Sequence, residues 1–283
     1  MLFALLLPLF LIAALGCVLA RAKWQAGLTE LTAKVLIPAL LFSGAYKNGI
    51  PASVSWQFLA AFFIPLFVLF LALRRDAPRA LAASYSNTVF VGIPVLTQAF
   101  GADSLQYAFP VVAFHGLAAF SLYYTASPGK NVLGSLLNAV KNPIVASLLL
   151  GLACNFSGLA MAAPLATVLT MLSAAALPCA LLALGASLAG FRIQSWVDTV
   201  LTVVAKLFVL PAMVLGMALW VFHLPAPAMA VLVVIAACPV GVNAAALVQA
   251  DGKPAAPVSS AILLSSIACI ATIPLWIWIV RSL

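Results

Sequence analysis

The chain has 283 residues, of which 66% are hydrophobic and only 6% charged. Soluble globular domains carry about 45–50% apolar and about 25% charged residues, so an ordinary water-soluble domain is excluded. The formal net charge of +8 is scattered over short polar stretches, which argues for a topological role of the basic residues rather than for a nucleic-acid surface.

Ten apolar segments follow in order, at about 2–20, 28–47, 54–73, 79–101, 104–126, 142–160, 164–190, 197–222, 226–250 and 256–280. Each is near the roughly 20 residues that a spanning helix needs. The fold class predicted is an all-α integral membrane protein with ten transmembrane helices. Met1 to Ala20 has no basic leader, and Arg21 and Lys23 follow it, so it reads as an uncleaved first helix. The loops after segments 1, 3, 5, 7 and 9 carry Arg21, Lys23, Arg74, Arg75, Arg79, Lys130, Lys141, Arg192 and Lys253, against Lys47 and Arg281 on the other side. The positive-inside rule places the richer side in the cytoplasm and both termini outside. Cys17, Cys154, Cys179, Cys238 and Cys269 all lie within apolar stretches without metal-ligand spacing, as small buried hydrophobes do. Trp24, Trp56, Trp196, Trp220, Trp276 and Trp278 fall near segment ends, where interfacial anchors are expected, and Tyr123 and Tyr124 read the same way.

The fourth segment contains Ser84-Tyr85-Ser86-Asn87-Thr88 and then Gly92-Ile93-Pro94, and the ninth contains Cys238-Pro239-Val240-Gly241-Val242-Asn243. Proline removes an amide donor and obstructs the preceding turn, so both helices should be interrupted. Lipid cannot satisfy the freed backbone groups, and such breaks survive only inside protein or along a water-filled cavity. Paired interruptions in corresponding segments of two halves point to a transporter's binding site. The halves also match elsewhere: Leu36 to Gly44 resembles Ala176 to Gly185, and Gln98 to Asp103 resembles Gln249 to Gly252. Five segments per half make the second half inverted. The division is 1–126, a cytoplasmic connection 127–141, and 142–283.

Taken in order, Asn87 to Pro94 with Phe100-Gly101, the run from Pro38, Pro178 with Gly185 to Leu188, and Cys238-Pro239 with Asn243 resemble the auxin efflux carrier family. The resemblance implies a fold related to the bile acid sodium symporters, with the fourth and ninth helices crossing at mid-membrane. It implies a scaffold of helices 1, 2, 6 and 7, capable of homodimer contacts, and a moving transport domain of helices 3–5 and 8–10. It also implies export or import of small organic anions such as malonate or malate. The long cytoplasmic insert of the plant exporters is absent here, which favours the bacterial permease type in an inner membrane. The stretch Cys238 to Ala246 holds no carboxylate, so the sodium ligand of the symporters is missing.

The candidate substrate-binding residues are Ser86, Asn87, Thr88, Gly92, Pro94, His115, Lys206, Pro239, Gly241 and Asn243. Half-helix N-termini present amides and a positive dipole end to an anion. Asn87 and Asn243 would add amide donors, and Ser86 and Thr88 hydroxyls, while the prolines and glycines shape the backbone. The competing reading of Asn87 is that it only satisfies backbone freed by the kink. His115 lies deep in segment 5, either as a proton-coupling or anion-contacting group or as a neutral packed ring. Lys206 lies two to three turns into segment 8, either balancing substrate charge, snorkelling, or pairing with a carbonyl. Lys34 follows Glu30 by four residues, so an ion pair is the simpler reading. Glu30, Asp76, Asp103, Asp198 and Asp251 all sit near segment ends, leaving no midplane carboxylate.

Three function classes compete. A secondary carrier of a small carboxylate needs no cofactor, with a proton or sodium left open as coupling ion. An intramembrane enzyme would need a HExxH motif, a nucleophile elbow or paired aspartates, none of which is present. A channel or sensor remains an alternative, as does a carrier of auxin-like or bile-acid-like carboxylates.

Overall fold

The computed structural model describes residues 2–20, 25–50, 54–126 and 143–283. The cationic residues Arg21, Lys23, Lys130 and Lys141, Trp24, and the connection 127–141 lie outside the described residues. Among those described, every regular element is a helix. They are α1 (Leu2–Leu19), α2 (25–48), α3 (Trp56–Leu73), α4 (Ala77–Ser84), α5 (Thr88–Phe100), α6 (Ala102–Thr125), α7 (Pro143–Phe156), α8 (Ala163–Leu188), α9 (Trp196–Val221), α10 (Ala226–Ala237), α11 (Asn243–Ala250) and α12 (Ala256–Ser282). Six stretches, Gly27–Asn48, α3, α6, α8, α9 and α12, are long and apolar enough to cross a bilayer. The fourth predicted segment appears as α4 and α5 and the ninth as α10 and α11, each pair separated by extended backbone.

Local chemistry fixes the ends. Ser55 caps α3 by accepting from Phe58 N at 3.4 Å, and Asp76 caps α4 by accepting from Arg79 N at 3.1 Å. Gly49 and Gly101 close α2 and α5 with φ of 61° and 82°, a conformation that side chains disfavour.

Three of the prolines inside the helices are handled by a recurring device. Wide turns with five-residue hydrogen bonds occupy Thr32–Leu36, Thr88–Gly92 and Ala205–Val209, and each stops two residues before a proline, Pro38, Pro94 and Pro211. The residue just before each proline, Ile37, Ile93 or Leu210, donates to the carbonyl five back. Widening the turn absorbs the missing amide and relieves the ring clash without ending the helix. Pro94 therefore does not interrupt its segment. The break lies at Tyr85 to Asn87, about two turns earlier, whereas Pro239 does sit within its break. In an α-helix the carbonyl of Leu207 would take its bond from position 211, which is proline; here the indole Nε1 of Trp276 donates to it at 2.8 Å. Trp276 is thus a buried satisfier of backbone rather than an interfacial anchor, while Trp56, Trp196, Trp220 and Trp278 are exposed as expected.

Close helix approach rests on small residues. α1 packs along α8, where a Cβ on Gly185 would fall on the Ala13 carbonyl and one on Gly16 on the Leu182 carbonyl. α2 packs along α7, with Gly151 against the Phe42 carbonyl, and also touches α8. Lipid offers no hydrophobic drive between helices, so such contacts depend on fit. α3, α6, α9, α10 and α12 surround the two breaks, with Phe58, Phe62, Phe109 and Ile235 among the fully or nearly fully buried side chains.

The basic residues described gather as the sequence sorted them. At one end Arg79 pairs with Asp198 at 3.7 Å, Lys253 with Asp251 at 3.1 Å, and Ser260 Oγ donates to Arg192 O at 3.1 Å. Tyr123 is buried there, donating to Asp251 Oδ2 at 2.9 Å, and is not a belt residue. At the other end Arg281 donates to Ala99 O at 2.6 Å. Replacing Gly185 with Leu should force α1 from α8 and cost about 1–3 kcal/mol. A lowered melting temperature of the detergent-solubilised protein measures it; an unchanged one refutes this packing.

Candidate functional site

The two interruptions meet. Ser86 and Val240 face each other as an antiparallel pair; Asn87 N donates to Pro239 O at 2.8 Å and Gly241 N to Tyr85 O at 3.0 Å. Two short extended segments thereby satisfy each other's backbone in a place that water hardly reaches. The amides pointing away from this pairing are taken by flanking helices. Ser86 N donates to His115 Nε2 on α6 at 2.8 Å, and Val240 N donates to Ser265 Oγ on α12 at 3.0 Å.

His115 is therefore a backbone acceptor. Accepting through Nε2 requires the neutral ring with its proton on Nδ1. The imidazole is fully enclosed, stacked on Tyr85 with centroids 5.1 Å apart and edge-on to Phe62 at 5.4 Å. Lys206 is equally buried, in the wide turn of α9, and its Nζ donates to Ala236 O at 2.5 Å. That carbonyl belongs to the last turn of α10, where the half-helix presents its negative end, so an ammonium there is electrostatically placed. Of the three readings of Lys206, carbonyl pairing is the one seen. Lys34 likewise forms the ion pair with Glu30, at 2.5 Å on an exposed surface.

A small cavity of about 80 Å³ opens beside the crossing. Tyr85, Ser86, Asn87 and Thr88 form one wall, Gly241 and Asn243 another, and Gly116 and Phe120 of α6 with Ile144 and Val145 of α7 the rest. Five predicted residues, Ser86, Asn87, Thr88, Gly241 and Asn243, line it together. The other five do not reach it. Gly92 lies beside the second break, where an added Cβ would make ordinary contact with Cys238 Sγ at 3.4 Å; Pro94 lies within α5, Pro239 O accepts from Asn87 N, and His115 and Lys206 hold the Ser86 amide and the Ala236 carbonyl.

Asn87 fills two roles at once. Its Oδ1 accepts from Phe90 N at 3.1 Å, capping α5, while its Nδ2 is buried without a partner. The Ser86 hydroxyl is buried unpartnered as well. Both atoms belong to residues of the cavity wall, where unpaired polar groups are costly unless something fills the space.

A family model described as "Membrane transport protein" matches residues 128–277, more than half of the chain. The chain belongs to the auxin efflux carrier family. This family comprises transporters, in keeping with a multi-pass membrane protein. No curated protein matches the chain. The matched stretch of this auxin efflux carrier family member includes Lys206, Pro239, Gly241 and Asn243, whereas Ser86 to Pro94 and His115 precede it.

Ser265 and Tyr85 escaped the sequence reading. A serine in an apolar helix is the only trace Ser265 leaves, and Tyr85 was hidden among the more polar residues beside it. His115→Ala should orphan the Ser86 amide and destabilise the protein by about 1–3 kcal/mol, with His115→Gln, which retains an acceptor, costing less. Equal melting temperatures for the two variants would contradict the bracing role.

Proposed function

We propose that this protein is a secondary transporter that moves a small organic anion, a dicarboxylate such as malonate or malate, across a bacterial inner membrane by alternating access. The observation that carries this reading is the cavity where the interrupted helices meet, with the Asn87 Nδ2 and Ser86 Oγ donors unsatisfied in its wall. Unused donors beside the N-terminal ends of α5 and α11 suit a carboxylate acceptor. The reading takes the chain as ten spans in two inverted repeats. α1, α2, α7 and α8 form the scaffold, able to support a homodimer, and the remaining helices form the moving part. Ile144 and Val145 at the start of α7 wall the cavity, and the reading takes its mouth to lie toward the basic end. With that end cytoplasmic and the termini periplasmic, the cavity is open inward.

Bracing by His115 supports a site in which this ring does not carry the coupling proton. Uptake by His115→Gln should then show the same pH profile as the unaltered protein; a displaced profile would return the histidine to the coupling path.

The purified protein, titrated with malonate, malate, phenylacetate, a bile acid and a cation control, with and without sodium, should be stabilised thermally by a small dicarboxylate. Stabilisation only by cations or neutral solutes overturns the proposal. Asn87→Asp separates cap from ligand contact: aspartate keeps the cap on Phe90 N, so despite the buried carboxylate it should be less destabilising than Asn87→Ala, which loses the cap as well. Malonate binding should nevertheless fall at least about tenfold, a loss of about 1.4 kcal/mol, because a carboxylate replaces the donor. Accelerated counterflow in liposomes distinguishes the carrier from a channel, which would give conductive flux alone.

A further inference from the structure

We infer that Tyr85 is the specificity-determining residue of the cavity, a fixed aromatic stop that limits the cargo to small acyclic carboxylates and shuts out aryl-bearing acids. The inference rests on the transport reading given above. Three features of the ring carry it.

First, the ring forms part of the cavity wall, on the very residue whose backbone oxygen joins the crossing by accepting from Gly241 N. Its position is therefore tied to the pairing of the two interrupted helices and not to a single helix.

Second, the ring is held from several directions. It lies against Gly241, where an added Cβ would collide with its Cε1 and Cδ1 atoms. It stacks on His115 with centroids 5.1 Å apart and planes 17° from parallel, and it packs on Phe120 at 4.9 Å. A hydrogen bond links its side chain to that of Asn243. A tyrosine gripped by two aromatic neighbours, a glycine floor and a polar tether does not swing aside for a bulky ligand. An ordinary tyrosine at a cavity mouth would.

Third, the space left is small. About 80 Å³ holds a few water-sized groups, whereas cavities that take up benzene are about 150 Å³. Cutting Tyr85 back to Ala removes a phenol ring from the wall and brings the space to the scale an aryl group needs. Gly241 acts on the same stop from beneath: any side chain there pushes the ring into the cavity.

The experiment measures malonate and phenylacetate binding to the purified full chain, by thermal stabilisation and by liposome counterflow, for the unaltered protein, Tyr85→Ala, Tyr85→Phe, Gly241→Ala and the double variant Tyr85→Ala/Gly241→Ala. The unaltered protein and Tyr85→Phe should bind malonate and exclude phenylacetate. Tyr85→Ala should gain phenylacetate binding by at least about tenfold. Gly241→Ala should lose malonate binding, and the double variant should regain ligand binding, because the clashing ring is gone. That rescue is a readout that a merely destabilised fold would not give. Phenylacetate binding by Tyr85→Phe, or a Tyr85→Ala protein with the unaltered profile, overturns the inference while leaving carboxylate transport intact. Should Tyr85→Ala not fold, Tyr85→Leu takes its place, and failure of that folded variant to admit phenylacetate is equally decisive against it. If the unaltered protein binds neither of these acids nor malate, the transport reading itself fails.

Discussion

The structure depends on one constraint: backbone amides and carbonyls released inside an apolar protein must find partners. Two helices are interrupted, at Tyr85 to Asn87 and at Cys238 to Val242, and neither break would be tolerable alone. Placed together they become each other's solution, as Asn87 N and Gly241 N donate across to Pro239 O and Tyr85 O. What the pairing leaves over is taken by His115, Ser265 and Lys206 from three further helices. Five segments distant in sequence are therefore required for one short stretch of extended chain. This is why the polar residues of so apolar a sequence concentrate there.

The same accounting explains what could be read from the sequence. Span positions were legible because apolar length is a strong signal, and the segment pairs 79–101 and 226–250 were recognisable as unusual through their polar and proline content. The location of the first break was not. Proline suggests an interruption at Pro94, yet the chain has a cheaper remedy, a widened turn that moves the bond from the missing amide to the residue before it. Pro38 and Pro211 are treated alike. Pro8, Pro65, Pro110, Pro178 and Pro274 lie inside α-helices without even a widened turn, so a proline in this fold does not by itself mark an end. The real break falls where Asn87 offers a side chain that competes with helical bonding, its Oδ1 accepting from Phe90 N.

Candidate side chains divided along a line that spacing cannot draw. Depth in a segment identified His115 and Lys206 as out of place in lipid, and both are indeed deeply buried. Depth says nothing about direction. A histidine one helix face away from the cavity and an ammonium aimed at a helix end share the sequence signature of a ligand contact. Only the orientation of α6 and α9 about the crossing separates brace from site. Trp276 and Tyr123 show the reverse error, since proximity to a segment end suggested an interfacial belt while their polar tips serve Leu207 O and Asp251.

The division between brace and site also has an energetic side. Each bracing group at the crossing has a partner for the atom that faces the backbone, which is what a purely structural role requires. Ser86 Oγ and Asn87 Nδ2 are buried without partners on two residues of the cavity wall, whereas the unpartnered Nδ1 of His115 belongs to a residue outside it. An apolar replacement of either donor would spare the fold a buried unsatisfied group, at about 1–3 kcal/mol each. Asn87 could keep its cap with aspartate and Ser86 its amide with alanine, so the fold alone does not call for these donors. Polar groups that stability does not require, on residues walling a cavity beside two helix N-termini, support the reading of that cavity as a ligand site. The paired breaks thus have one side where backbone groups find partners on flanking helices and another, walled by the cavity, whose residues carry two polar side-chain atoms without partners.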